Sequence, residues 1–239
     1  MIPKVIHYCW FGGNEKPESV NRCIDSWKKF CPTYQIVEWN ESNFDVDSVP
    51  FIKQALEVKK YAFASDLARL IIVYNNGGFY FDTDVELVKS LDALCEKEIF
   101  FGFENESFVA SGLGFGSEKG NKFLLEHINQ YKDVNFINED GSLNMKGCPV
   151  YLTELLTEKG YTPNGKYQIV DGVTLFPPDY FNPYDNATGK LKLTDNTVSI
   201  HWYDTSWNKE SKSARKIKQL IHRVFGNSSL LWIKKLLGK

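Results

Sequence analysis

The stretch "GGFYFDTDVEL", residues 77–87, decides the fold that the sequence predicts. Two glycines lead into an apolar, aromatic run typical of a buried strand, and two aspartates, Asp82 and Asp84, follow that run at once. In sheets built from alternating strands and helices, ligands lie beyond the carboxyl ends of the strands. The stretch therefore predicts a strand that carries two carboxylates to a binding edge. An Asp-rich turn without a ligand is the alternative.

The rest of the chain alternates strand-like and helix-like segments around this stretch. Apolar runs of strand length occupy residues 4–10, 34–39, 78–81, 98–103, 111–116, 167–172 and 196–203. Helical spacing of apolar residues occupies residues 17–30, 59–74, 121–131 and 149–160. This rhythm indicates an α/β fold with a mostly parallel central sheet flanked by helices. A length of 239 residues suits one large domain of this class.

Composition excludes several classes of protein. Hydrophobic residues make up 43% of the chain, too many for a disordered protein, and no apolar run is long enough to span a membrane. The N-terminal "MIPKVIHYCWFGG" lacks the pattern of a secretion signal, so we expect a cytoplasmic location. The five cysteines are odd in number and form no CxxC pair, so reduced, buried thiols are expected.

Charge is distributed unevenly along the chain. Residues 209–239 carry nine Lys or Arg and one Glu, which leaves residues 1–208 with a formal charge of −10. An acidic body argues against a broad nucleic-acid surface. In the tail, apolar residues and Lys or Arg fall on opposite helical faces, which suits an anchor on the anionic inner face of the cell membrane. We therefore predict a domain of residues 1–208 and a basic amphipathic tail of residues 209–239. A helix packed on the domain or on a partner is the alternative.

Two pairs of charged residues carry candidate chemistry. Asp82 and Asp84 lie two residues apart, so in an extended chain both carboxylates face one ion, for which Mg²⁺ or Mn²⁺ is suited. Phosphatases of the haloacid-dehalogenase type share this spelling, but they usually have Thr at the position of Glu86, which disfavours that class. Asp66 and Arg69 lie three residues apart in an apolar helix, either as an internal ion pair or as a pair that holds a polar ligand.

Three segments together resemble the glycosyltransferase family that carries a DXD sugar-binding region, family 32-like. They are "IPKVIHYCWFGG" (2–13), "ASDLARLIIVYNNGGFYFDTDV" (64–85) and "HWYDTSW" (201–207). The resemblance covers about residues 1–208 and implies a GT-A fold with a Rossmann-like sheet. It also implies transfer of a hexose from a nucleotide sugar, UDP-linked by family frequency, with Mn²⁺ or Mg²⁺ and with retention of configuration. The implied acceptor is a glycan or lipid-linked saccharide in surface or capsular polysaccharide synthesis.

The same resemblance implies roles for the metal ligands. It makes Asp84 a direct ligand, His201 a third ligand, and Asp82 a contact of the donor or of the metal through water. The expected catalytic group is Asp82, Asp84 and Arg69. Glu86 is expected to be only a neighbour of the site.

The resemblance also implies a set of donor-binding residues. Trp10 is expected to stack on the nucleotide base, and Asp66 and Arg69 are expected to hold the sugar hydroxyls. Asp82 is expected to contact the donor, and Ser206 and Trp207 are expected to contact the diphosphate. The segment "KGCPVYLT" departs from the family pattern at Lys146 and Cys148 and receives no role. The segment "SGLGFG" (111–116) and Glu104–Asn105 are placed near the acceptor on their position in the chain alone. A non-catalytic nucleotide-sugar or glycan-binding protein of the same fold remains the alternative function.

Overall fold

The computed structural model of this chain describes residues 1–204 and residue 219. The strands are β1 (Val5–Cys9), β2 (Gln35–Trp39), β3 (Gly78–Tyr80), β4 (Val85–Leu87), β5 (Ile99–Phe103), β6 (Val109–Ala110), β7 (Phe115–Ser117), β8 (Gln168–Val170), β9 (Val173–Phe176), β10 (Tyr184–Asp185), β11 (Lys190–Leu191) and β12 (Ser199–His201). The helices are α1 (Glu18–Phe30), α2 (Pro50–Glu57), α3 (Tyr61–Asn76), α4 (Lys122–Asn129), α5 (Cys148–Glu158) and α6 (Pro178–Phe181), with 3₁₀ turns at Val46–Ser48 and Asp92–Leu94. The boundary predicted at residue 208 lies outside the described residues, so the division into domain and tail stays a prediction.

A mixed sheet of eight strands forms the centre of the molecule. Its order is β2-β1-β3-β7-β5-β9-β8, with β6 beside β5. Strands β1, β2 and β3 are parallel, and the antiparallel β7 restores the same direction in β5 and β9, so five of the eight strands run one way. The predicted α/β class with a mostly parallel sheet is confirmed. Because β3 and β5 point the same way, their carboxyl ends open at one edge of the sheet.

Helices cover both faces of this sheet. One buried cluster packs α2, α3, α4 and α5 against it, and a second packs α1 and α6 on the other face. Trp27 of α1 is fully buried, and its indole N–H donates to the carbonyl oxygen of Val85 at 2.8 Å. This bond ties α1 to the strand that directly follows the two aspartates, so the core on this face also supports the predicted site.

Two glycines set the position of β3. Gly77 ends α3 with a φ of 69°, and Gly78 has a φ of 104°, both in the left-handed region that favours glycine. A Cβ on Gly78 would lie 2.7 Å from the carbonyl oxygen of Val5, so a larger residue would force β3 away from β1. The "NNGG" ending of the helix thus places β3, and with it the aspartates that follow.

The structure corrects three details of the predicted elements. Residues 111–116 are not one strand, because Gly114 turns the chain with a φ of 116° and β7 begins only at Phe115. Helix α2 was not predicted, since it is short and follows a polar loop. Residues 196–203 contain only the three-residue β12, which pairs antiparallel with β4 and lies off the central sheet.

The expectations about cysteines and apolar helices can be compared with the described residues. All five cysteines are buried and free, as expected. Burial raises the pKa of Cys9 and that of Cys23 to about 12, so both thiols stay protonated near neutral pH. Among residues 1–204, no helix has the length and hydrophobicity that a membrane crossing requires.

The buried imidazole of α4 should make the stability of the fold depend on pH. His127 is fully buried, and burial lowers the pKa of this residue to about 4, against 6.5 in the unfolded chain. Between pH 6.5 and 4 the unfolded state binds more protons, so stability falls as the pH falls through this window. From pH 7.5 to 5.0 we expect His127 to account for a loss of about 2 kcal/mol in the free energy of unfolding.

Urea unfolding of wild type and His127→Gln at both pH values measures this effect. The variant should lose less stability between pH 7.5 and 5.0 than the wild type does. Equal losses in the two proteins would mean that His127 does not titrate in this range.

Candidate active site

A tight turn holds Asp82 and Asp84 between β3 and β4. The N–H of Val85 donates to the carbonyl oxygen of Asp82 at 3.0 Å and closes the turn. Strand β4 then pairs with β12 in a register that places His201 opposite Val85. The N–H of Trp202 extends this pairing with a 3.0 Å bond to the carbonyl oxygen of Asp84. Backbone pairing thereby brings the distant His201 next to the second aspartate.

Asp82, Asp84 and His201 form one polar cluster. Their ligand atoms all lie within 4.8 Å of one another, and His201 Nε2 is 3.1 Å from Asp84 Oδ1. Two carboxylates beside an imidazole fit a divalent cation such as Mn²⁺ or Mg²⁺. The buried Nδ1 of His201 has no hydrogen-bond partner among the described residues. The three residues named from the sequence as metal ligands are therefore brought together, and their ligand roles stay a prediction.

The pKa values of the cluster reflect burial and mutual charge. Burial raises the pKa of Asp82 to about 6, with Arg69 opposing the shift and Asp84 adding to it. Burial alone would also raise the pKa of Asp84, but His201 holds that pKa below its ordinary value. For His201, burial favours the neutral ring, yet the carboxylate of Asp84 raises its pKa. The cluster thus stabilises positive charge between its members, whether a proton or a cation provides it.

Arg69 joins the helix α3 to the end of β3. Its guanidinium Nη2 lies 2.8 Å from Asp66 Oδ1 and 3.1 Å from Asp82 Oδ1, and its side chain is 3% exposed. Its Nε–H donates to the carbonyl oxygen of Ser65 at 3.1 Å. Burial disfavours the charge of Arg69, but Asp82 and Asp66 raise its pKa. The pair seen in the sequence is therefore part of a buried triad that includes the first aspartate of the DXD.

Two further residues contact this triad: Cys148 had received no role, and Gly112 belongs to the segment that was expected near the acceptor. The N–H of Cys148, at the start of α5, lies 3.4 Å from Asp66 Oδ2, and the Cys148 thiol lies 3.9 Å from Arg69 Nη1. A Cβ on Gly112 would lie 2.6 Å from Asp82 Oδ2. The segment "KGCP", which received no role, therefore lies against the site. The glycine of "SGLG" permits the close approach of that loop to Asp82.

The Asp66–Arg69–Asp82 triad and the Asp82–Asp84–His201 cluster line one pocket of about 790 Å³. Trp10 forms part of its wall, and its indole N–H donates to the carbonyl oxygen of Asn14 at 2.7 Å. Lys16 Nζ lies 6.0 Å from the centre of the Trp10 ring. The pocket thus contains six residues that the sequence analysis named: Trp10, Asp66, Arg69, Asp82, Asp84 and His201.

Tyr203 also lines the pocket and was not predicted. Its ring lies against His201, with centroids 4.1 Å apart, and its hydroxyl lies 3.4 Å from Glu104 Oε1. The expected place of Glu104 beside the site agrees with this contact, although no acceptor role follows from it. A sequence cannot signal Tyr203, since its position depends on a backbone φ of 51°, which is unusual for a residue other than glycine.

The remaining named residues lie apart from the cluster or outside the described chain. Glu86 accepts a bond from the Trp202 indole at 2.8 Å and lies 3.7 Å from Arg22, so it is a neighbour of the site, as expected. Ser206 and Trp207 lie outside the described residues, so their predicted contacts with the diphosphate stay predictions.

Comparison with known proteins finds a family match within the first half of the chain. Residues 17–101 match the family described as a glycosyltransferase sugar-binding region containing a DXD motif. The match contains the middle one of the three sequence segments, residues 64–85, and confirms the resemblance to this family there.

Two curated relatives carry related names. Inositol phosphoceramide mannosyltransferase 3 of Schizosaccharomyces pombe is 30% identical over 135 residues, which are 53% of this chain and 36% of the relative. Inositol phosphoceramide mannosyltransferase 1 of the same organism is 23% identical over 182 residues, 71% of this chain and 56% of the relative. The chain thus spans about a third of the first relative and just over half of the second. The DXD family match and these names support a glycosyltransferase enzyme.

Solved structures support the architecture. The PaToxG glycosyltransferase superposes with a TM-score of 0.50 at 20% identity, covering 66% of this chain and 70% of that one. The glycosyltransferase GlyE of Streptococcus pneumoniae TIGR4 superposes with a TM-score of 0.50 at 12% identity, covering 97% of this chain and 64% of that one. At these identities the likeness establishes the fold alone, and it confirms the predicted GT-A-like α/β fold.

Loss of the Arg69 guanidinium should destabilise the fold. Replacement of Arg69 by Met would leave the carboxylates of Asp66 and Asp82, which are 14% and 28% exposed, without their buried cation. Loss of one partner from a buried ion pair usually costs about 3–5 kcal/mol, so Arg69→Met should lower the free energy of unfolding by that order. Urea unfolding at pH 7.5 measures the loss.

An exposed ion pair provides the control. Lys28 and Asp25 lie 2.8 Å apart, and their side chains are 62% and 69% exposed. Lys28→Met should cost less than about 1 kcal/mol. Similar losses from Arg69→Met and Lys28→Met would contradict a stabilising role for the triad.

Proposed function

We propose that this chain is a metal-dependent, retaining glycosyltransferase that moves a hexose from a nucleotide sugar to a saccharide or lipid-linked acceptor. The observation that carries the proposal is that one pocket holds the Asp82–Asp84–His201 cluster beside the buried Asp66–Arg69 pair. A divalent cation at this cluster would neutralise the charge that develops on a nucleoside diphosphate as it leaves the sugar. We place the activity in surface polysaccharide synthesis, as the family resemblance implies.

The side chains around the cluster suit the recognition of a donor sugar. Asp66 and Asp82 present carboxylate oxygens, and Arg69 presents N–H groups held in place by both. Sugar hydroxyls can donate to the carboxylates and accept from the guanidinium. Because packing and ion pairs fix these groups before the donor arrives, they would orient the anomeric carbon without further ordering cost. The flat face of Trp10 on the same pocket suits a nucleotide base.

The ion pairs of three pocket carboxylates, Asp66, Asp82 and Asp84, favour a front-face route to retention. A double displacement needs a free carboxylate beside the sugar. Asp66 and Asp82 are paired with Arg69, and Asp84 is paired with His201. With these three engaged, we propose that the leaving phosphate helps to deprotonate the acceptor, so that no enzyme nucleophile is used.

Under this proposal, turnover of a nucleotide-sugar donor should depend on Mn²⁺ and on Asp84. Incubation with MnCl₂ and a panel of UDP- and GDP-sugars should release a nucleoside diphosphate from at least one donor. Mannose donors belong in the panel because the curated relatives are named as mannosyltransferases. Asp84→Ala should lower the Mn²⁺-dependent rate by about 10²-fold or more, since it removes electrostatic stabilisation of the leaving group.

Asp25→Ala, which removes an exposed carboxylate on α1, is the control and should keep the wild-type rate. An Asp84→Ala variant with more than about a tenth of that rate would exclude a direct role in metal binding. Tight binding of one donor without turnover of any would favour the alternative, a non-catalytic nucleotide-sugar or glycan-binding protein.

The C-terminal segment should bind membranes that contain anionic lipid. We propose that the enzyme is cytoplasmic and peripheral on the inner face of the cell membrane, where residues 209–239 bind anionic lipid through nine cationic side chains and an apolar face. A lipid-linked acceptor would agree with the relatives, whose names include a ceramide. The full chain should float with vesicles that contain anionic lipid and remain unbound with neutral vesicles, while a chain ending at residue 208 should bind neither. Equal flotation of the two chains would refute this anchor.

A further inference from the structure

Lys59 occupies a turn where glycine is the usual residue. The turn follows α2: the N–H of Lys60 donates to the carbonyl oxygen of Ala55 at 2.8 Å, and the N–H of Lys59 donates to that of Leu56 at 2.9 Å. This pair of bonds is the Schellman ending of a helix, which requires a left-handed residue after the cap. Lys59 adopts that conformation with a φ of 57°. A side chain has therefore been kept at a position that the backbone favours for glycine.

The left-handed residues other than glycine concentrate at the pocket. The described part of the chain contains three of them, Lys59, Asp171 and Tyr203. Asp171 lies in the turn between β8 and β9, whereas Lys59 and Tyr203 both line the pocket of the candidate active site. Strained backbone conformations that persist in proteins cluster at ligand sites, where the side chain is needed in that position. The position of Lys59 thus points to contact with a ligand.

The charge of the pocket wall indicates which part of a ligand Lys59 would contact. Five acidic side chains line the pocket, while its lysine and arginine side chains are Lys59 and Arg69 alone among the described residues. Arg69 is buried and already paired with two of the aspartates. Lys59 is exposed and forms no ion pair within residues 1–204. It is therefore the cation of the described wall that is available to an anionic ligand.

We propose that Lys59 binds the diphosphate of the nucleotide-sugar donor, a role that rests on the proposed glycosyltransferase function. Without Lys59, the five acidic side chains and Arg69 would place a formal charge of −4 on the pocket wall, with His201 counted as neutral, and a divalent cation offsets only part of it. A diphosphate that enters this wall needs a further cation, and the ammonium group of lysine is a mobile point charge that suits phosphate oxygens. Glycine at residue 59 would relax the turn but would remove this charge.

Calorimetric titration with nucleotides tests the role directly. UDP and GDP are titrated in MnCl₂ into wild type, Lys59→Gly, Lys59→Gln and Lys60→Gln, and the Tm of each protein is recorded. Lys60 is the control, since its replacement makes the same change of charge one residue away but outside the pocket lining. Both Lys59 variants should bind the preferred nucleotide about tenfold more weakly, because a charge-assisted hydrogen bond is lost. Lys60→Gln should stay within twofold of wild type.

The stability of Lys59→Gly separates binding from structure. Because glycine adopts the left-handed conformation without strain, its Tm should equal or exceed that of wild type while its affinity falls. A residue needed only for folding would show the reverse pattern.

The possible failures of the two hypotheses can be told apart. Affinities within twofold of wild type in both Lys59 variants would overturn the role of Lys59 and leave the proposed function standing. An equal loss in Lys60→Gln would also overturn it, because the effect would then be one of general charge. Absence of binding of either nucleotide by the wild type would overturn both hypotheses.

Discussion

The buried guanidinium of Arg69 is the interaction on which the rest of the site depends. It lies between Asp66 of α3 and Asp82 at the end of β3, and it holds the helix and the strand in one relation. A buried charge is tolerated only when it is paired, so removal of any member leaves the others unbalanced. Cys148 at the start of α5 and Gly112 of the loop before β7 both close on this triad. The ion pairs that would recognise the sugar therefore also organise the core behind it.

Backbone pairing, and not the Asp66–Arg69–Asp82 triad, brings His201 to the site. The turn at Asp82 leads into β4, whose antiparallel partner β12 brings His201 to within 3.1 Å of Asp84. Trp27 bonds to the carbonyl oxygen of Val85 and holds the same strand from the opposite face. The Asp82–Asp84–His201 cluster is thus assembled by a small two-stranded sheet that lies outside the main one.

Local signals in the sequence predicted the elements that carry the site, and non-local packing decided the rest. The "NNGG" ending of α3 and the aromatic run of β3 are local, so the place of Asp82 and Asp84 could be predicted. The contact of Cys148 with Asp66 joins residues far apart in the chain, and no spacing rule reports it. Gly112 appeared as part of a strand because its turn depends on the left-handed Gly114. Family resemblance, rather than periodicity, connected His201 to the aspartates, since strand pairing at long range has no signature in one sequence.

The charge of the pocket has a consequence for the order in which its ligands act. Burial raises the pKa of Asp82 to about 6, and the neighbouring carboxylate of Asp84 adds to that shift, so the cluster resists further negative charge. Under the proposed function, a nucleoside diphosphate entering alone would meet an acidic wall, whereas the same ligand entering with a divalent cation would meet a wall whose negative charge is partly offset. Binding free energies are reciprocal, so a metal that strengthens donor binding is itself held more tightly by the donor. Because the site is acidic and offers few free cations, the metal and the nucleotide should each bind more tightly when the other is present.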